Sequence, residues 1–144
     1  MNTTLTRQRG IKITSKKKRI EPIKTQFSEQ FINDIIKRKK LHTSRTDKED
    51  KYEPGRPMIC YYVKDGQEYP LAYHWITAIQ ELTIRKKWND DFEIRVDGRQ
   101  LDQHHMRILA AYSGFSSVSG YCNYRLREKT YWSGKLIHWD KIRY

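Results

Sequence analysis

Leu71-Ala-Tyr-His-Trp-Ile-Thr-Ala-Ile-Gln-Glu-Leu-Thr-Ile-Arg85 reads as extended chain. Ala72, His74, Ile76, Ala78, Gln80, Leu82 and Ile84 alternate with Tyr73, Trp75, Thr77, Ile79, Glu81 and Thr83, and alternation of this kind places successive side chains on opposite faces. Neither set is purely polar. The stretch is therefore expected to be one long, curved strand, covered differently along its length.

Further strands lie on either side. Met58 to Val63 is a β-type run followed by the Asp65-Gly66 turn signal, and Phe92, Ile94 and Val96 alternate ahead of Asp97-Gly98. A last strand is expected over Lys135 to Trp139, after a break at Gly134. Three segments have helical spacing. The first begins at Phe27, with Ser28 placed as N-cap, Glu29 in the first turn, and Phe31, Ile32, Ile35 and Ile36 on one face; Lys37, Arg38, Lys39 and Lys40 then fill a last turn, where cations complement the helix dipole. Residues 44 to 57 follow as a polar loop closed by Pro54, Gly55 and Pro57. The second helix spans Leu101 to Ser113, capped by Asp102, with Met106, Leu109 and Ala110 inward and Gly114 ending it. The third starts at Ser116 or Ser117 and turns Val118, Tyr121, Cys122 and Leu126 inward. Strands and helices do not alternate strictly, so an α+β fold with a small, mostly antiparallel sheet or barrel is expected, rather than a doubly wound one.

The length of 144 residues leaves room for one compact domain and a tail. Ten Tyr and four Trp exclude the aromatic-poor composition of a wholly disordered chain. A net charge of +12 favours a polyanionic partner such as nucleic acid. Cys60 and Cys122 sit in apolar or aromatic surroundings and read as two buried thiols in a reducing compartment, because two cysteines make no disulfide framework. No apolar stretch approaches the roughly 18 residues of a membrane span, and the N-terminus lacks the apolar core of a secretory signal. A cytoplasmic protein with no membrane partner is expected, with association to a virion as the alternative.

Charge is unevenly distributed. Residues 1–26 carry eight Lys or Arg against the single acid Glu21, a net +7, whereas residues 27–144 carry +5. The first segment is expected to be a disordered basic tail and the second the folded domain. Lys16, Lys17, Lys18 and Arg19 are candidates for a phosphate-gripping arm; a nuclear address, an organelle transit segment or a merely solubilising tail are the competing assignments.

The densest polar group is Lys40-Leu41-His42-Thr43-Ser44-Arg45. In extended chain, Lys40, His42 and Ser44 would share one side and Leu41, Thr43 and Arg45 the other, so a turn or bulge is needed to bring Lys40 and Thr43 together. Ammonium, imidazole, hydroxyl and guanidinium groups in this density suit a phosphate or a base edge, which makes Lys40, His42, Thr43 and Arg45 the candidate nucleic-acid contacts. The plainer alternative is a helix end running into a polar loop.

Lys-x-His-Thr-x-Arg after an amphipathic helix, a Pro54-Gly55-Arg56-Pro57 turn, Val96-Asp97-Gly98-Arg99, Ser113-Gly114-Phe115-Ser116-Ser117, Gly134-Lys135-Leu136-Ile137-His138-Trp139 and Arg143-Tyr144 occur here in an order that resembles the ASCH domain, a PUA-like β-barrel, and in particular small bacterial and phage ASCH-like proteins. The resemblance runs from about Phe27 to Tyr144. It implies a small barrel with flanking short helices and a cleft that accepts RNA or a modified nucleoside. Some bacterial members remove the acetyl group of N4-acetylcytidine with a lysine, a threonine and a glutamate. Lys40 and Thr43 match the first two, and the glutamate position falls on Ser113. Glu81 or Glu93 could replace that carboxylate only if the fold brings one of them into the cleft.

The leading expectation is a non-catalytic nucleic-acid or nucleotide-binding module, with RNA favoured over DNA and the tail on phosphates. An amidohydrolase on acylated cytidine and a basic scaffold for a host or virion protein are the alternatives. No cofactor is expected, since there is neither a Gly-rich phosphate loop nor a Gly-x-Ser-x-Gly elbow. No metal is expected either: on a helix the adjacent His104 and His105 point about 100° apart, and His42, His74, His138 and the cysteines show no ligand spacing. Tyr61, Tyr62, Tyr69, Tyr73, Trp75, Tyr121, Tyr124, Tyr131, Trp132 and Trp139 divide between core and base-stacking roles, with Trp132 and Trp139 the first to test.

Overall fold

The computed structural model describes residues 21–144. Lys16 to Arg19, the candidate phosphate arm, lie outside the described residues. The fold is α+β, mostly strands, in two sheets.

The stretch Leu71–Arg85 is not one strand. It contains most of β4 (Gln67–Trp75) and β5 (Ala78–Lys86), which belong to different sheets. Ile76 and Thr77 make the transfer: the Ile76 amide donates to the Arg56 carbonyl (2.9 Å), and the next amide, of Thr77, donates to the His138 carbonyl (2.8 Å). With both amides satisfied by different sheets and the Ile76 side chain buried, the crossing needs neither glycine nor proline. This is why alternation alone showed no break there.

The smaller sheet has the order β1 (Ile23–Gln26), β3 (Pro57–Lys64), β4. β1 runs parallel to β3, and β3 and β4 form a hairpin with a bulge between Cys60 and Tyr61. The larger sheet is antiparallel throughout, in the order β2 (His42–Arg45), β8 (Tyr131–His138), β5, β6 (Phe92–Val96), β7 (Arg99–Gln100). No ladder joins the two sheets, so the barrel expected from the resemblance is not closed.

Several boundaries change. Ile23–Gln26, assigned by charge to the tail, form β1: Ile23 and Thr25 are buried, so the folded part begins before residue 27. The first helix is far shorter than its spacing predicts, a 3₁₀ turn at Glu29–Phe31 leading into α1 (Ile32–Ile36). The Ser28 side chain makes no cap bond, and Arg38 turns to φ 59°, ending the helix before the basic run can form its last turn. Gly134 lies inside β8 rather than before it. A Cβ there would sit 2.5 Å from the Arg45 carbonyl oxygen and 2.6 Å from the Trp132 ring, so the glycine permits close approach between β8 and β2.

The other helices match expectation. In α2 (Gln103–Tyr112) the Asp102 carboxylate accepts from the His105 amide at 2.8 Å, and in α3 (Val118–Leu126) the Ser117 hydroxyl accepts from the Gly120 amide at 3.0 Å. Gly114, at φ 96°, ends the first of these turns. Two apolar clusters result. One packs α2 and α3 on the larger sheet through Leu82, Ile94, Leu109, Tyr121 and Leu136; the other joins both sheets to α1 through Phe31, Ile35, Met58, Ile76 and Ile137. Phe115 packs against both, and the cleft described next opens at this seam. Cys60 and Cys122 are buried free thiols, each pushed up to about 12 by burial. Among the described residues no helix is long and apolar enough to cross a membrane.

Candidate functional site

The reversal at Arg38 determines where Lys40 goes. The Lys39 and Lys40 amides both donate to the Asp34 carbonyl (2.8 and 3.0 Å), and the Leu41 amide donates to the Tyr112 carbonyl at 2.9 Å, which holds the chain against the end of α2. Lys40 is buried by this turn, and its Nζ donates to the Ser113 carbonyl at 2.7 Å. β2 then begins. The turn supplies what alternation required, and Lys40, Thr43 and Arg45 line one cavity of about 320 Å³.

His42 does not join them. Its ring faces away, with Nε2 2.8 Å from the Tyr144 hydroxyl and Nδ1 3.3 Å from the Ser113 hydroxyl, and no part of it is exposed. As a nucleic-acid contact it is corrected: it belongs to a buried polar network behind the cleft. Ser44, on the same side of β2, meets the Tyr121 hydroxyl at 2.5 Å and still reaches the cavity wall.

Four cations line the cavity: Lys40, Arg45, Arg125 and Arg127. Arg45 is held from three sides. Its Nη2 donates to the Gln26 carbonyl (2.8 Å), its Nε to the Thr43 hydroxyl (3.3 Å), and its guanidinium lies 4.7 Å from the centre of the Phe27 ring. Arg125 is packed 5.1 Å from Tyr124 and 5.5 Å from Trp132, and its buried Nε has no protein partner. Phe27, Phe31, Phe115, Tyr121 and Tyr124 complete an aromatic wall; no Asp or Glu is among the lining residues.

Burial drives the Lys40 amine well below its usual 10.5, and the nearby Arg45 and Arg125 charges push the same way. The guanidinium groups are also lowered by burial, yet guanidinium remains charged at neutral pH. The cavity therefore concentrates positive potential in a partly desolvated space with no carboxylate in its lining, Asp34 acting on Lys40 only from outside it, which is the electrostatic character of an anion site.

The carboxylates weighed as substitutes are elsewhere. Glu93 is bound by Arg85 (3.0 Å) and Arg95 (2.9 Å), which hold its carboxyl below the usual range, and Glu81 is exposed on β5 opposite Lys135. Ser113, at the position where the resemblance puts a glutamate, contributes a backbone carbonyl to Lys40 and a hydroxyl to His42. Among the described residues no group of three or more His, Cys, Asp or Glu side chains is arranged to hold a metal.

Sequence reasoning missed Arg125, Arg127 and the Phe27–Phe31 wall. A signal existed for the first, since Arg125 lies four residues after Tyr121 on α3 and thus shares its face. Arg127 gave none: it is itself the left-handed residue that ends the helix, at φ 47°. Trp132 and Trp139, the first candidates for stacking, are partly and fully buried against the two clusters. Compared with models of known families, with curated proteins and with solved structures, the chain matches none.

Proposed function

We propose that this protein is a non-catalytic nucleic-acid-binding module whose cleft holds a nucleotide of an RNA strand, with the basic tail on flanking phosphates. The observation carrying this reading is the cavity itself: four basic side chains, five aromatic rings and no carboxylate lining one space of nucleotide size. Phosphate would meet Arg45, Arg125 and Arg127, and a base would lie against Phe27, Phe115 or Tyr124. The likeness to ASCH domains belongs to this proposal through the Lys40–Arg45 segment and its cleft. RNA rather than DNA, and a cytoplasmic setting, are part of the same reading.

Calorimetric titration with uridine 5′-monophosphate tests the cleft. Arg125→Ala should weaken binding by about tenfold or more, because charge-assisted hydrogen bonds contribute about 1.5–3 kcal/mol. Equal affinity of the variant and the parent protein would refute the assignment.

One observation favours a second reading, an amidohydrolase on N4-acetylcytidine. Lys40, whose amine burial drives well below its usual range, shares the cavity with Thr43, and a lowered amine is what proton abstraction from a threonine hydroxyl needs. The cavity lacks the orienting carboxylate, so this reading ranks second. Incubation with N4-acetylcytidine decides it: release of acetate that is lost in Lys40→Ala supports an enzyme, and no release eliminates one.

A further inference from the structure

Away from the cleft, the outer face of the smaller sheet carries two of the most exposed rings in the molecule. Tyr73 is 71% exposed and Trp75 is 62% exposed. Both belong to β4, where they pair with Ile59 and Pro57 of β3, while the intervening His74 turns inward and stacks on Trp139. Two residues apart on one strand, the rings stand about 7 Å from each other. That spacing lets two neighbouring bases of a flexible strand each find a ring. β3 continues the face with Ile59 and Tyr61, and Lys24 of β1 lies 5.0 Å above the Tyr61 ring. Glu68, also on β4, is ion-paired with Lys24.

The sheet register also fixes where the tail joins. Ile23 is opposite Met58, so the chain enters β1 at the same end of the sheet as Pro57 and its partner Trp75. Arg56 fastens that entry, donating from Nη2 to the Glu21 carbonyl at 2.8 Å and from Nη1 to the Lys51 carbonyl at 3.2 Å. Two strand spacings, about 10 Å, separate this entry from Trp75. Residues 1–20 contain seven Lys or Arg and no Asp or Glu. An aromatic pair beside the attachment of an unopposed cationic segment combines the two elements of sequence-tolerant single-strand binding, stacking and phosphate attraction.

We infer that Tyr73 and Trp75 form a stacking platform for single-stranded nucleic acid. The platform is separate from the cleft; it shares with the cleft reading the class of partner and the neighbouring basic segment, but none of the cleft's residues.

The test uses the full chain and two 5′-fluorescein 15-mers, oligouridylate and oligothymidylate, followed by anisotropy. Tyr73→Ala and Trp75→Ala should each weaken binding by at least about fivefold, and Tyr73→Phe and Trp75→Phe should restore it, since stacking needs a ring and not its polar atom. Loss with both oligomers assigns the platform to single strands generally, and loss with oligouridylate alone assigns it to RNA. Unchanged affinity in the double alanine variant overturns the proposal, as does an alanine effect that phenylalanine does not restore. A change of sedimentation coefficient in the alanine variants would assign the rings to a contact between copies and would also overturn it. Arg125→Ala, run in parallel, separates the two surfaces: if it leaves both oligomer and mononucleotide binding intact while the ring variants lose affinity, the cleft reading fails and the platform stands.

Discussion

Acid should unfold this protein earlier than its carboxylates alone would require, because His138 has nowhere to put a second proton. The Gln80 amide nitrogen donates to Asp97 (3.0 Å) and to the Tyr144 carbonyl (2.8 Å), so the Gln80 oxygen is left to accept from His138 Nε2 at 2.9 Å and from the Tyr144 amide at 3.1 Å. The proton of the neutral imidazole therefore sits on Nε2, and Nδ1 is buried without a partner. Burial, aided by Arg143 and opposed by Asp97, lowers the ring from 6.5 to about 4. The unfolded chain takes up the proton as pH falls through about 6.5, whereas the folded chain resists until about 4, so stability must fall with pH between these values. At 1.36 kcal/mol per pH unit the complete penalty is roughly 3 kcal/mol, of which about 1 kcal/mol has gone by about pH 5.5 and a little over 2 by about pH 4.5. His42, also buried and lowered mainly by burial, adds in the same direction. Urea denaturation at stepped pH measures the slope. His138→Gln should be less stable at neutral pH yet lose less between about pH 7 and 5.5. Identical slopes for the two proteins would refute the account.

Gly134→Ala should destabilise by about 1–3 kcal/mol, the usual cost of overpacking, since the added methyl meets the Arg45 backbone and not a flexible side-chain end; an unchanged urea midpoint would contradict this. Because the clash is with Arg45 itself, the same variant should also bind uridine 5′-monophosphate more weakly by calorimetry. Removing residues 1–20, and stopping short of β1, should reduce the magnitude of the slope of log K against log salt for the oligouridylate 15-mer by about 3.5 if five phosphate contacts are lost. No change in slope would exclude the phosphate arm.

The elements most legible in the sequence were those with local causes. Asp102 and Ser117 cap their helices as their residue types require, and the Asp65-Gly66 and Asp97-Gly98 turns hold their left-handed residues. What could not be read depends on partners distant in sequence. β1 looked like tail because its charge context is basic and its two inward residues, Ile23 and Thr25, have meaning only beside Met58 and Cys60. The basic run after Ile36 suited a helix end, but the tertiary hold on Lys40 through Ser113 and on Leu41 through Tyr112 prevails over that local preference. Half of the candidate site was visible as Lys40, Thr43 and Arg45; Arg125 and Arg127 come from 80 residues onward, and no spacing rule connects them to the first three.

The pairing of β2 with β8 sets a timetable for the molecule. His42 lies opposite His138, 96 residues later, so the strand that carries Thr43 and Arg45 has no backbone partner until β8 is available. Contacts of such separation form late and slowly. The wall that Thr43 and Arg45 give the cleft is therefore among the last parts of the fold to form, and a chain interrupted before β8 would carry Lys40, Thr43 and Arg45 without the strand that holds them in place.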